Sequence, residues 1–295
     1  MFVIKHKKVF LIISIVLVAL SITSISIFGL NFGIDFKGGA QTEVVYTSTV
    51  PTQADIEAKL APLSIGQVHT QPTGTNGYII KTRSLTDAEH VSLVSALGSD
   101  VTEKSFTSIG PSVGRELARK AIILFVLVSL GIIFFIAYSF RKVSKPISSW
   151  KYGFIAIVTL IHDVLIPVGV FAVISHFFGT EVDTLFVVAV LTILGLSVSD
   201  TIVVFDRIRE NLRTGHFKTF EETVGNSLRQ VYTRSIMTSL TVIIVLLSLV
   251  FFGPQSTRVF AIMLTAGMFF GTYSSIFLAS PLLVFLNGRL ATKTK

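Results

Sequence analysis

Hydrophobic and polar positions divide the chain into two kinds of segment. Six stretches, residues 9–30, 121–140, 153–178, 184–205, 236–252 and 259–286, stay apolar for about the 20 residues that a helix needs to cross about 30 Å of hydrocarbon. They predict six transmembrane helices. Between the first two, residues 31–115 follow another pattern. "TEVVYT", "IGQVHT", "GYIIKT" and "VTEKSFTSIG" read as strands, with the turn-rich "QPTGTN" between the middle two. "TQADIEAKLAPL", capped by Thr52, and "TDAEHVSLVSAL" read as helices. The order is βαββαβ, that of a small ferredoxin-like α+β domain with its own modest core. Further on, "KTFEETVGNSLRQVY" places Phe220, Val224, Leu228 and Val231 on one side. That spacing predicts an amphipathic helix lying in the membrane interface.

Composition agrees with a polytopic chain: of 295 residues, 51% are hydrophobic and 14% charged, outside the range of ordinary soluble domains. The net charge of +8 does not point to nucleic acid, because the basic residues are grouped by membrane side. Lys5, Lys7 and Lys8 precede the first span, and Arg141, Lys142, Lys145 and Lys151 lie between the second and third. Arg207, Arg209, Arg213, Lys218 and Arg229 follow the fourth, and Arg289, Lys293 and Lys295 follow the sixth. The opposite side holds Glu181, Asp183 and the single Arg258 near Pro254. The positive side is the cytoplasmic one, so both termini are expected there and residues 31–115 outside. The first apolar run is longer than a signal-peptide core and leads to no convincing A-x-A site, which predicts an uncleaved anchor. The expected division is 1–30 for the cytoplasmic N-terminus and first helix, 31–115 for the outer domain, 116–290 for helices two to six, and 291–295 for a cytoplasmic tail. No cysteine is present, which excludes disulfides, thiolate catalysis and cysteine metal sites.

Polar residues inside the spans are the candidate chemistry, since an ionisable group in hydrocarbon is costly and is kept for function. His162 and Asp163 fall near the middle of the third span, and Pro167 four residues on cannot donate to the Asp163 carbonyl. A kinked or loosened helix is expected there; for His162 an interhelical hydrogen bond is an equal alternative. Asp200 in the fourth span has Ser197 and Thr201 on neighbouring turns beside it. Desolvation favours its neutral acid and a nearby cation its carboxylate, so such a group can load and release protons. Arg234, at the start of the fifth span, is either its counter-charge or an end-of-span anchor. The small pairs Gly195 with Ser199 and Gly267 with Gly271 predict close helix packing.

Other features carry less. Gly38 and Gly39 in "GIDFKGGA" lack the Lys-Ser/Thr ending of a phosphate loop and precede no helix, so a tight passage from membrane to strand is the better reading. Asp35 is expected to bond local backbone, and His69 and His90 to be surface histidines. No Ser/His/Asp set, metal-ligand spacing or Walker motif is present, so neither enzymatic chemistry nor a cofactor is expected.

"GIDFKGG", "GPSVGRELARKA", "HDV", "LSVSDTIVVFDRIREN" and "TRSIMTSLT", taken in that order, resemble the SecF family, the smaller membrane subunit of the bacterial SecD/SecF complex in the RND superfamily. The likeness covers nearly the whole chain. It implies an RND-like half of six helices in the bacterial inner membrane, with one periplasmic domain. It further implies a subunit that uses the proton-motive force to help draw unfolded preproteins out on the periplasmic side. SecD as the pseudo-symmetric other half, the SecYEG channel and other accessory membrane subunits are the implied partners. Asp200 matches the family's proton-pathway aspartate and Arg234 the arginine at the start of its fifth span. Family members commonly have Asn where this chain has Ser199, which touches only local hydrogen bonding. Two other readings stand beside this one: half of an RND-type lipid or drug exporter, and a purely architectural assembly subunit.

Overall fold

The structure is a computed structural model that describes residues 2–139, 149–215 and 217–291. Arg141, Lys142, Lys145, Lys293 and Lys295 of the predicted basic groups lie outside the described residues. In chain order the elements are α1 (Phe2–Lys5), α2 (Lys7–Phe28), α3 (Ile34–Lys37), β1 (Gly39–Tyr46), α4 (Gln53–Leu60), β2 (His69–Thr73), β3 (Gly77–Thr82), α5 (Asp87–Leu97) and β4 (Val101–Ile109). There follow α6 (Pro111–Ser139), α7 (Ser149–Phe178), α8 (Thr184–Thr214), α9 (Phe220–Phe252), α10 (Gln255–Tyr273), a π-helical stretch Ser274–Ala279, and α11 (Ser280–Ala291). Two units result: Phe32–Ile123, and Met1–Asn31 with Leu124–Lys295.

The smaller unit is a four-stranded antiparallel sheet in the order β2-β3-β1-β4. Alternate residues Ala40, Thr42, Val44 and Tyr46 of β1 are buried. They meet Ile56 and Leu60 of α4 and Leu93 and Leu97 of α5 in one apolar core, so both helices cover the same sheet face. Each helix starts at a threonine that closes a capping box, Thr52 with Asp55 and Thr86 with Glu89, satisfying first-turn amides that the helix leaves open. Strand β2 corrects the sequence reading: it is His69–Thr73 rather than "IGQVHT". Ser64 and Gly66 take positive φ, which breaks an extended path there. Pro72 is tolerated because β2 is an edge strand, where a missing N–H costs no ladder bond. The double glycine is sterically required: a Cβ on Gly38 would lie 2.8 Å from Pro111 Cα, and one on Gly39 2.9 Å from the Thr82 carbonyl oxygen. His69 is exposed. His90 is half-buried rather than a plain surface residue; it stacks on Phe106 at 3.7 Å and its Nε2 meets Glu103 Oε2 at 3.1 Å.

Among the described residues, six helices are long and apolar enough to span a membrane. Within the larger unit three of them are inner. Half of the apolar window of α7, 44% of that of α8 and 56% of that of the sixth span are buried, against 11% for the first and 17% for the fifth. Helix α7 continues through Pro167 as one helix from Ser149 to Phe178. The predicted interfacial helix is not separate. Capped by Thr219 and Glu222, it forms the first turns of α9, which runs on to Phe252. Its apolar residues Val224, Leu228 and Val231 pack with Val204, Phe205 and Ile208 of α8. Asn211 completes this contact by donating to Ser227 Oγ and Gln230 Oε1, each at 2.8 Å. No proline interrupts the chain between Phe220 and Phe252, and unbroken backbone hydrogen bonding favours a single helix where lipid offers no partner.

Candidate functional site

The inner helices are the ones that carry the polar residues. Asp163 on α7 has no exposed surface and His162 keeps 2%. An isolated carboxylate so placed would cost several kcal/mol, so it must be paired and hydrogen-bonded. Ser197 Oγ of α8 donates to Asp163 Oδ2. Ser274 Oγ donates to the same oxygen at 2.6 Å, and His162 Nδ1 meets Asp163 Oδ1 at 2.8 Å. The His162 ring lies nearly parallel to Tyr273, with centroids 6.1 Å apart, and its Nε2 is buried without a partner among the described residues.

Ser274 and Ser275 reach this place because the sixth span loosens into a π turn at that point. Such local widening recurs at functional sites and re-aims side chains. Ser274 Oγ also lies 2.9 Å from the Gly271 carbonyl, and Ser275 Oγ donates to the same carbonyl at 2.9 Å while meeting Thr201 Oγ1 at 3.1 Å. A string of hydroxyls therefore runs from Asp163 along the face of α8 that bears Ser197 and Thr201.

Asp200 stands at the end of that string. The hydroxyls of Ser235 on α9 and of Ser275 lie beside its carboxyl, and Asp163 is within electrostatic reach of it. Its Oδ2 is buried with no hydrogen-bond partner among the described residues, and the Ser235 hydroxyl is likewise unpartnered. The two acids thus differ: both oxygens of Asp163 have partners, whereas Asp200 keeps an open oxygen. Arg234 is not brought to this site. It is exposed on α9 and, among the described residues, forms no ion pair; the neighbouring Ser235 is the residue that turns inward.

The small pairs lie on different surfaces. Gly267 of α10 presses on α8, where an added Cβ would collide with the Ile193 side chain, and at Gly271 it would stand 3.3 Å from Ser197 Cβ. Gly195 and Ser199 are exposed within this chain, and a Cβ at Gly195 would meet nothing within 4 Å. Sequence reasoning passed over Ser235, Ser274 and Ser275. The available signal was "YSSIFLAS", a run of hydroxyls in an otherwise apolar span.

Similarity to known proteins follows the same residues. A family described as "Protein export membrane protein SecD/SecF, C-terminal" matches residues 90–289, and "SecD/SecF GG Motif" matches residues 23–50, which include the double glycine. A protein translocase subunit SecF of Thermobaculum terrenum is 40% identical, over 96% of this chain and 92% of that relative. The chain belongs to the SecF family. The SecF of Anaerolinea thermophila is 37% identical with the same coverage. The SecDF of Bacillus subtilis is 34% identical over 97% of this chain, which spans 38% of that longer protein. Among solved structures, that of SecDF from Thermus thermophilus, a translocon-associated membrane protein, superposes with a TM-score of 0.82 at 30% identity. It covers 97% of this chain and 38% of its own. Family membership and six apolar helices make this a multi-pass membrane protein with a role in protein export.

Proposed function

We propose that this chain is a proton-coupled, non-enzymatic subunit that uses the proton-motive force to promote preprotein translocation and release on the outer side of the membrane. The observation that carries the reading is the pair of acids on the inner helices, buried Asp163 held by Ser197, Ser274 and His162, and half-buried Asp200 with one open, buried oxygen. A proton on Asp200 lowers the cost of burial, and its loss raises that cost, so occupancy biases the packing of α7, α8, α9 and the sixth span. The hydroxyls of Thr201, Ser235 and Ser275 supply intermediate donors and acceptors. Arg234 joins the path in a packing that turns it toward Asp200.

SecD is the proposed other half. The fused SecDF relatives support this, and so does the open Gly195–Ser199 face of α8, where small residues admit a second helix closely. SecYEG, an unfolded preprotein and other accessory membrane subunits complete the assembly. In this reading both termini lie in the cytoplasm and residues 31–115 in the periplasm, which the grouping of the basic residues supports.

The test is force-dependent release of a secreted precursor from vesicles, comparing wild type with Asp200→Asn at equal subunit abundance. Loss of the gradient-dependent step with assembly intact is the expected result. Unchanged gradient dependence would leave Asp200 as a packing residue in an architectural subunit.

A further inference from the structure

At the membrane end that carries the Phe252–Gln255 turn, α9 and α10 enclose an apolar groove of about 310 Å³, lined by Ile243, Leu247 and Val250 on one side and Ile262, Ala266 and Phe269 on the other. The one polar side chain in its lining, Thr265, donates to the Ala261 carbonyl at 2.7 Å and is satisfied within its own helix. Nothing in the groove therefore asks for a polar occupant. On α9 the lining runs seven residues, from Val250 to Ile243. At about 1.5 Å per residue that is about 10 Å, which fits within one leaflet, half of a hydrocarbon layer about 30 Å thick.

Arg258 stands one turn before Ile262 on α10, so the two share a helix face. Its side chain is exposed and, among the described residues, has neither an ion pair nor a hydrogen bond. It is the one Lys or Arg in the short connections at this end of the helices, whose other turn carries Glu181 and Asp183. A lone guanidinium above an apolar groove that fits within one leaflet matches a single amphiphile. We infer that this is a binding site for an anionic phospholipid, with the phosphate held by Arg258 and one acyl chain laid between α9 and α10. The guanidinium fork pairs with phosphate oxygens through two parallel hydrogen bonds. A partner helix, about 10 Å across with its side chains, would cover the same groove while leaving that charge uncompensated.

The test is native mass spectrometry of the full chain in detergent micelles, titrated with phosphatidylglycerol or with phosphatidylcholine of the same acyl chains. One basic residue at an anionic lipid surface is worth about 1 kcal/mol, so wild type is expected to retain phosphatidylglycerol about fivefold better. Arg258→Gln should abolish the preference while leaving phosphatidylcholine retention unchanged. Ala266→Phe, which fills the groove, should lower retention of both lipids, and Ile262→Trp does the same from the neighbouring turn should the first variant fold poorly. A preference that survives Arg258→Gln overturns the headgroup assignment. Retention unaffected by filling the groove overturns the acyl-chain assignment, including the case in which a partner helix occupies it.

Discussion

Replacing Ser197 and Ser274 by alanine, singly and together, measures how Asp163 is held. Both hydroxyls donate to the same oxygen, Asp163 Oδ2, from two different helices, and no part of that residue is exposed. Interhelical hydrogen bonds in membranes average about 0.6 kcal/mol, whereas a bond to a charged acceptor is worth about 1.5–3 kcal/mol. Each single substitution is expected in the higher range if the pair serves a carboxylate. The double variant should cost more than the sum by about 0.5–3 kcal/mol, because the first loss leaves one donor on Oδ2 and the second leaves none. The assay is unfolding in mixed micelles with increasing dodecyl sulfate, followed by far-ultraviolet circular dichroism, for wild type, both singles and the double. Single costs at or below about 0.6 kcal/mol that simply add would refute the reading that Ser197 and Ser274 hold Asp163 jointly through one oxygen.

Gly267→Ala places a methyl group against Ile193 and is expected to cost about 1–3 kcal/mol by overpacking in the same unfolding assay; Ile193→Ala in that background should restore part of the loss. In the smaller unit Gly38 has φ 79° and faces Pro111 backbone, so Gly38→Ala combines backbone strain with a clash that cannot relax and should cost at least about 1–3 kcal/mol, read as a lower melting temperature of the fragment 32–123. Glu89 is held down to about 2, first by its hydrogen bond from Arg83 and then by those from Thr86. A lowered carboxylate stabilises the fold above its ordinary value of 4.5 and loses that effect as pH falls toward the folded value. The same fragment should therefore lose stability between about pH 4.5 and 2, and Glu89→Gln should flatten that part of the profile.

The sequence by itself determined the six spans, the βαββαβ order and Thr52 as a helix cap, because each is written in local periodicity and capping chemistry. It also marked Asp163 and Asp200, since a carboxylate in an apolar run is visible without knowing what surrounds it. Element limits were less legible. Pro72 looked like a turn residue until the sheet order placed β2 at an edge, and "KTFEETVGNSLRQVY" looked interfacial until α8 was found covering its apolar face. Only the tertiary structure decided which hydroxyls serve the acids. Ser274 and Ser275 face inward because of a π turn, a change of helical register that no spacing rule for an α-helix anticipates, and Ser235 rather than Arg234 turns toward Asp200 because packing sets the rotation of α9 about its axis. Which neighbour satisfies a buried charge is a question of three helices meeting, and a single strand of sequence carries only one side of each contact.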